Sequence, residues 1–300
     1  MRRRSFLSVK GTEITVPYIL ITQKKTGPVA VITAGIHSAE YIGIQAAIEL
    51  SNELTEDNIC GSIIIAPLCN PSGFEHRTMS MVYEDGKNLN RVFPGSNSGS
   101  PSDRLADVLF SQLILRADIY IDLHSGDGYE SLYPYVYYLG TTSTEETSKK
   151  MAECVNVPYA VRSNSFSGGA YNQASIHGIP SILLERGGQS FLDRTQIDAD
   201  KEDVINILKC FGILEGDYRL YPQKTLAERD IVAPCTGCWY PNKSVGDSFV
   251  KGDLLGRITD YFGRTMYTCI AAEDGLILHQ ISSLNVIKED LLIAFGTDLQ

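Results

Sequence analysis

Three hundred residues, 43% of them hydrophobic, allow one large core or a core with a smaller module beside it, since single domains usually run to about 100–250 residues. A formal net charge of −10 excludes general affinity for nucleic acid, which needs basic surface to displace counterions, and suits a protein that handles small molecules. No stretch approaches the roughly 20 apolar residues of a membrane span, the apolar run after Met1-Arg2-Arg3-Arg4 is too short for a signal peptide, and seven scattered cysteines point to reduced thiols in the cytoplasm.

The opening reads as a hairpin, Arg4 to Val9 and Ile14 to Thr22 alternating around a Lys10-Gly11-Thr12 turn. The texture then changes to apolar, β-branched strands alternating with helical periodicity. Strands are expected over Val29 to Ala34, Ser62 to Leu68, Ala117 to His124, Tyr135 to Leu139 and the run ending at Glu185, and helices over Tyr41 to Leu54, Ser102 to Leu115, Thr144 to Cys154 and about Lys201 to Leu214. Such alternation implies an α/β fold, a mostly parallel mixed sheet flanked by helices. The segments Asn70 to Pro101 and Gly126 to Tyr133 are polar, Gly-rich loops of the kind that carry function.

From about Gln223 short β-like runs separated by Gly, Asp and Pro replace the alternation, so a boundary is expected between an α/β domain (1–222) and a smaller all-β domain (223–300). Ala233-Pro234-Cys235-Thr236-Gly237 followed by Val245 to Leu255 is echoed by Ala271 to Gly275 followed by Val286 to Leu292. This pseudo-repeat resembles a biotinyl/lipoyl-type fold, with Asp260-Tyr261-Phe262-Gly263-Arg264 where such domains carry their modified lysine. A rim over the active site or an assembly surface is the expected role, which leaves room for a homo-oligomer.

Three strands end in ionisable residues. His37-Ser38-Ala39-Glu40 joins the first strand to its helix, His124 ends another strand and Glu185 a third. Open α/β sheets bind ligands at the carboxyl ends of their strands. Taken singly each residue has a plainer role: His37 as a cap, Glu40 favoured by the helix dipole, His124 as a polar strand end. Together His37, Glu40 and His124 supply the three protein ligands that catalytic zinc takes, leaving a fourth position for water. Asp122 lies on the same strand face as His124 and either orients that ligand or pairs with a nearby base. Glu185, after three apolar residues, suits a general base whose pKa burial has raised; the alternative is a salt bridge, with adjacent Arg186 a weak partner because neighbours on a strand face opposite ways. Asn90 and Arg91 suit a substrate carboxylate, since a guanidinium grips one in two places, and Arg77 could stabilise an oxyanion. Cys235-Thr236-Gly237-Cys238 lacks a second pair and the helix N-terminus of a redox motif, and Ser163 to Gly169 reads as an active-site loop rather than a phosphate loop.

The ordered series Gly35 to Glu40, Asn88-Leu89-Asn90-Arg91, Asp122-Leu123-His124 and Glu185 resembles the succinylglutamate desuccinylase/aspartoacylase family of the zinc carboxypeptidase-like superfamily. The resemblance implies one zinc ion per chain on His37, Glu40 and His124, water activation by Glu185, help at the carbonyl from Arg77, and a substrate carboxylate on Asn90 and Arg91. A tyrosine of the C-terminal domain reaches the substrate in that family; Tyr240, Tyr261 and Tyr267 are candidates. Ser38-Ala39 and Asn88 depart from residues common in the family. The leading expectation is a zinc-dependent deacylase that cleaves the amide of a small N-acyl amino acid. The alternatives are a metallocarboxypeptidase acting on short peptides and a non-catalytic binding module that retains the fold.

Overall fold

A computed structural model describes residues 1–23 and 26–299. The hairpin is present as antiparallel β1 (Arg2–Ser8) and β2 (Thr15–Thr22). Then follow β3 (Val29–Ala34), α1 (Tyr41–Glu53), β4 (Ser62–Ala66), α2 (Pro71–His76), α3 (Pro101–Gln112), β5 (Ile119–His124), β6 (Glu130–Leu132), β7 (Tyr135–Leu139), α4 (Glu145–Glu153), β8 (Tyr159–Ser163), α5 (Ala170–Ile176), β9 (Ser181–Glu185) and α6 (Arg194–Cys210). The remaining elements are all strands: β10 (Lys224–Val232), β11 (Gly237–Pro241), β12 (Ser248–Phe249), β13 (Leu254–Thr259), β14 (Thr265–Ile270), β15 (Gly275–Ile281), β16 (Asn285–Val286) and β17 (Leu291–Asp298).

One large mixed sheet runs in the order β1-β2-β4-β3-β5-β9-β7-β8-β10-β17-β15-β12, with β6 against β15. At its centre β4, β3, β5 and β9 are parallel, as are β7, β8 and β10. The strands are buried on both faces, so neighbours along a strand enter different cores. Ile32, Ile121 and Leu184 pack beneath α1, α4 and α6, whereas Val31, Tyr120 and Leu183 pack beneath α3 and α5. Strand parity therefore decides which chemistry reaches which side.

The C-terminal strands divide between two sheets. β10, β17, β15 and β12 extend the large sheet, and β14-β13-β11-β16 form a second, antiparallel one. Between them lies a separate core that includes Trp239, Phe249, Leu255 and Ile258. The parallel pairing of β10 with β8 makes the main sheet continuous across the segment where the sequence texture changes.

Several elements differ from expectation for local reasons. α6 begins at Arg194 rather than near Lys201 because the Asp193 carboxylate accepts a hydrogen bond from Thr195 N (2.8 Å), a cap made well upstream of the expected start. α2 occupies the presumed loop after Asn70, whose side chain caps it by accepting from Gly73 N (3.0 Å). β8 and α5, of five and seven residues, are too short to show periodicity in sequence.

Candidate active site

The site lies at the carboxyl ends of β3, β5 and β9. Between β3 and α1 the chain turns at Gly35, held in the left-handed region at φ 66°, where a side chain is unfavourable. His37 follows, and Glu40 is the residue from which α1 starts. A β-carbon on Gly43 would stand 2.9 Å from that of Leu123, so this glycine lets α1 lie close against β5. Glu40 is thereby brought to His124.

The two imidazoles converge on one carboxylate. His37 Nδ1 is 2.7 Å from Glu40 Oε1, and His124 Nδ1 is 2.8 Å from Glu40 Oε2. Ser125 N also donates to Glu40 Oε2 (3.1 Å). The far nitrogens have polar neighbours of their own. Asn88 Oδ1 accepts from Asn90 N (2.8 Å), which identifies it as the amide oxygen, and it lies 3.1 Å from His37 Nε2. His124 Nε2 is 3.3 Å from Asp122 Oδ2, close but poorly aligned, so neither atom completes a hydrogen bond. Each Nδ1 thus faces one oxygen of the shared carboxylate, while each Nε2 is turned to a second acceptor. Two imidazole nitrogens and a carboxylate oxygen, all within 4.8 Å of one another, are a donor set suited to zinc.

The electrostatics agree. Burial pushes the Glu40 carboxyl up, yet the charges of His124 and His37 outweigh it and hold the pKa at about 2. Burial disfavours charge on His124, yet Glu40 and Asp122 carry its pKa well above the ordinary imidazole value. Asp122 is held in turn by Thr33 Oγ1, which donates to Oδ1 (2.7 Å) and lies 2.6 Å from the Tyr120 hydroxyl. A ligand histidine backed by an anchored carboxylate is the usual arrangement around a catalytic metal.

Glu185 is the register partner of His124 on the neighbouring parallel strand. It faces the cavity, and its Oε2 is buried without a hydrogen-bond partner. Burial, then the charge of Glu40, push its pKa well above the ordinary carboxylate value. Arg186, one residue on, serves the opposite side: it is buried and pairs with Asp203 and Asp200 of α6. The salt-bridge alternative for Glu185 therefore does not involve Arg186.

These groups line a cavity of about 290 Å³ together with Asn90, Arg91, Tyr135, Tyr137 and Tyr171. Asn90 is buried, and its Oδ1 accepts from Ala170 N (2.8 Å) where α5 begins. A β-carbon on Gly168 would stand 2.2 Å from Arg91 O, so the Ser163 to Gly169 loop closes directly on the Asn90-Arg91 segment. Ser163, Ser165 and Ser167 of that loop line the cavity. Arg77 is elsewhere. It ends α2 in the left-handed conformation (φ 57°), is exposed, and is not among the lining residues.

Strand register adds residues that the sequence did not single out. Glu130 and Leu132 of β6, Glu228 and Asp230 of β10, His279 of β15, and Leu291 and Ala294 of β17 complete the walls. None of Tyr240, Tyr261 and Tyr267 lines the cavity, and neither do Cys235 and Cys238, which are free thiols.

Residues 26–211 match the model of the succinylglutamate desuccinylase/aspartoacylase catalytic domain. The chain belongs to this family. Its relatives include the N-alpha-acetyl-L-2,4-diaminobutyric acid deacetylase of Halomonas elongata, 27% identical over 253 residues that cover 81% of this chain and 73% of the relative. The ectoine utilization protein EutE of Ruegeria pomeroyi, solved with product bound, superposes with a TM-score of 0.89 at 25% identity, covering 99% of this chain and 95% of that one. A succinylglutamate desuccinylase/aspartoacylase structure from Rhodobacter sphaeroides shares the fold (TM-score 0.89, 23% identity, 100% and 96% covered). As a member of the succinylglutamate desuccinylase/aspartoacylase family the chain is a deacylase, an enzyme that hydrolyses an amide bond. Among the described residues no helix is long and apolar enough to cross a membrane.

Proposed function

We propose that this deacylase is zinc-dependent and removes the acyl group from small N-acyl amino acids, with His37, Glu40 and His124 holding one zinc ion. The observation that carries the reading is the convergence of His37 Nδ1 and His124 Nδ1 on the two oxygens of Glu40. Bound there, zinc would supply a Lewis acid for the amide carbonyl and acidify a water molecule. Glu185 accepts the proton of the attacking water and returns it to the departing amine, a cycle that its raised pKa suits. Arg91 holds the substrate carboxylate from the rim, with Asn90 fixing the loop that presents it. Arg77 is exposed and does not line the cavity, so this proposal gives it no role.

Acetylated 2,4-diaminobutyrate, named for the Halomonas relative, is the first substrate to test. The division into 1–222 and 223–300 is part of the same reading, supported by the separate core of the C-terminal strands. Walls contributed by β10, β15 and β17 limit the cavity to small molecules, which favours N-acyl amino acids over peptides. The free state of the cysteines supports a reducing, cytoplasmic setting. Assaying the zinc-loaded protein against N-acetyl amino acids and short peptides tests the proposal. Release of acetate with no C-terminal trimming is expected; release of C-terminal residues alone would make the enzyme a carboxypeptidase.

A further inference from the structure

The cavity holds an excess of negative charge once its internal pairs are set aside. Glu40 faces His37 and His124, and Glu130 faces His279, with Oε1 3.4 Å from Nε2. Of the lining groups that remain, Glu185, Glu228 and Asp230 are acidic and Arg91 alone is basic. In the deacylase reading Glu185 is the base and Arg91 meets the substrate carboxylate. Glu228 and Asp230 are then left without a function, and among the described residues no basic side chain lies within 4.0 Å of either.

Glu228 is built into the wall. It is half-buried on β10, two residues before Asp230 and on the same strand face. One of its oxygens, Oε1, accepts a hydrogen bond from the Tyr137 hydroxyl, and among the described residues nothing donates to the other. Burial, against the Tyr137 hydrogen bond, pushes its carboxyl up to about 7. A part-buried carboxylate lacking a cation is costly, and an ammonium group that arrives with the substrate would relieve it. Tyr135 and Tyr171 pack against Tyr137 and line the same cavity, so the carboxylate sits in an aromatic wall.

We propose that Glu228, assisted at the rim by Asp230, selects substrates that carry a free ammonium group besides the amide and the carboxylate, namely short N-acylated diamino acids. This rests on the deacylase reading and assigns its specificity. The opposite preference, for acidic side chains, would bring a second carboxylate against Glu228 and Asp230 and is disfavoured by like charge.

Three substrates of equal chain length test it: Nα-acetyl-2,4-diaminobutyrate, Nα-acetylnorvaline, which has a methyl group in place of the ammonium, and N-acetylglutamate. The wild-type kcat/KM is expected to favour the diamino substrate over the norvaline one by about tenfold or more, the value of one charge-assisted hydrogen bond, with the glutamate last. Glu228→Gln should bring the diamino/norvaline ratio towards one. Asp230→Asn, at an exposed position where folding is not at stake, should lower it by a smaller factor. A wild-type ratio at or below one, a preference for N-acetylglutamate, or a ratio unmoved in both variants would overturn the assignment while leaving a deacylase. Failure to hydrolyse all three would overturn the deacylase reading and the assignment with it.

Discussion

His124 and Glu185 stand side by side as register partners at the ends of adjacent parallel strands. The imidazole that faces Glu40 thus has as its neighbour a carboxyl whose Oε2 is buried and unpartnered. The proposed ligand and the proposed base come from different strands, so they can be separated by mutation. Glu185→Gln is expected to lower kcat by about 10²–10⁴-fold, the usual worth of a positioned base, with metal content unchanged. Steady-state kinetics and metal analysis on the same preparation check this, and loss of the metal would make Glu185 a ligand instead.

Asp122 is expected to act through His124 rather than on the substrate. Its Oδ1 is anchored by Thr33 and its Oδ2 lies 3.3 Å from His124 Nε2. Asp122→Asn should weaken zinc binding by about 10–100-fold, read by competition with a chromogenic chelator. An unchanged affinity would show that the carboxylate does not orient the histidine.

Gly43 sets the distance between α1 and β5. Its missing β-carbon leaves room for Leu123 Cβ at 2.9 Å and Leu123 O at 3.0 Å, both backed by core that cannot give way easily. Gly43→Ala should cost about 1–3 kcal/mol of stability through overpacking and weaken zinc binding, because Glu40 is carried on the same helix end. Denaturant unfolding and metal competition give the two readouts; a variant as stable as wild type would show that α1 shifts without strain.

Glu228 gives a stability prediction with a definite sign. Burial raises its folded-state pKa from 4.5 to about 7, so the folded protein holds this proton more tightly than the unfolded chain. The associated stability is complete below about pH 4.5 and is lost as pH rises through about 7. Glu228→Gln, which cannot ionise, should therefore gain on wild type between those limits, by up to about 3 kcal/mol. Melting temperatures at pH 5 and pH 8 measure it, and a difference that stays constant or narrows would contradict the shift.

The part of the site on β3, β5 and β9 was legible in sequence because these strands are continuous apolar runs whose ends are marked by the first ionisable residue. That marking singles out His37, Glu40, His124 and Glu185, which the structure brings together around one cavity, and strand parity likewise turns Arg186 away from Glu185. Asp122 could be placed on the His124 face by the same rule. Glu228, Asp230 and His279 could not be found so. They sit mid-strand in ordinary β texture, and only the long-range pairing of β10 with β8 and of β6 with β15 carries them to the cavity. Residue type suggested Arg77, but the left-handed end of α2 leaves that side chain exposed, and no local pattern in the sequence signals such a turn. The C-terminal tyrosines are candidates by type, but Tyr240 and Tyr267 on strands of the second sheet and Tyr261 in the turn between β13 and β14 do not line the cavity.

The central claim is that His37, Glu40 and His124 act together as one zinc site, and the most direct test is the metal content of the purified protein. Elemental analysis of wild type and of Glu40→Ala, dialysed together against trace zinc, should give about one zinc per wild-type chain and almost none in the variant. Equal zinc in the two proteins, or none in either, would contradict the account.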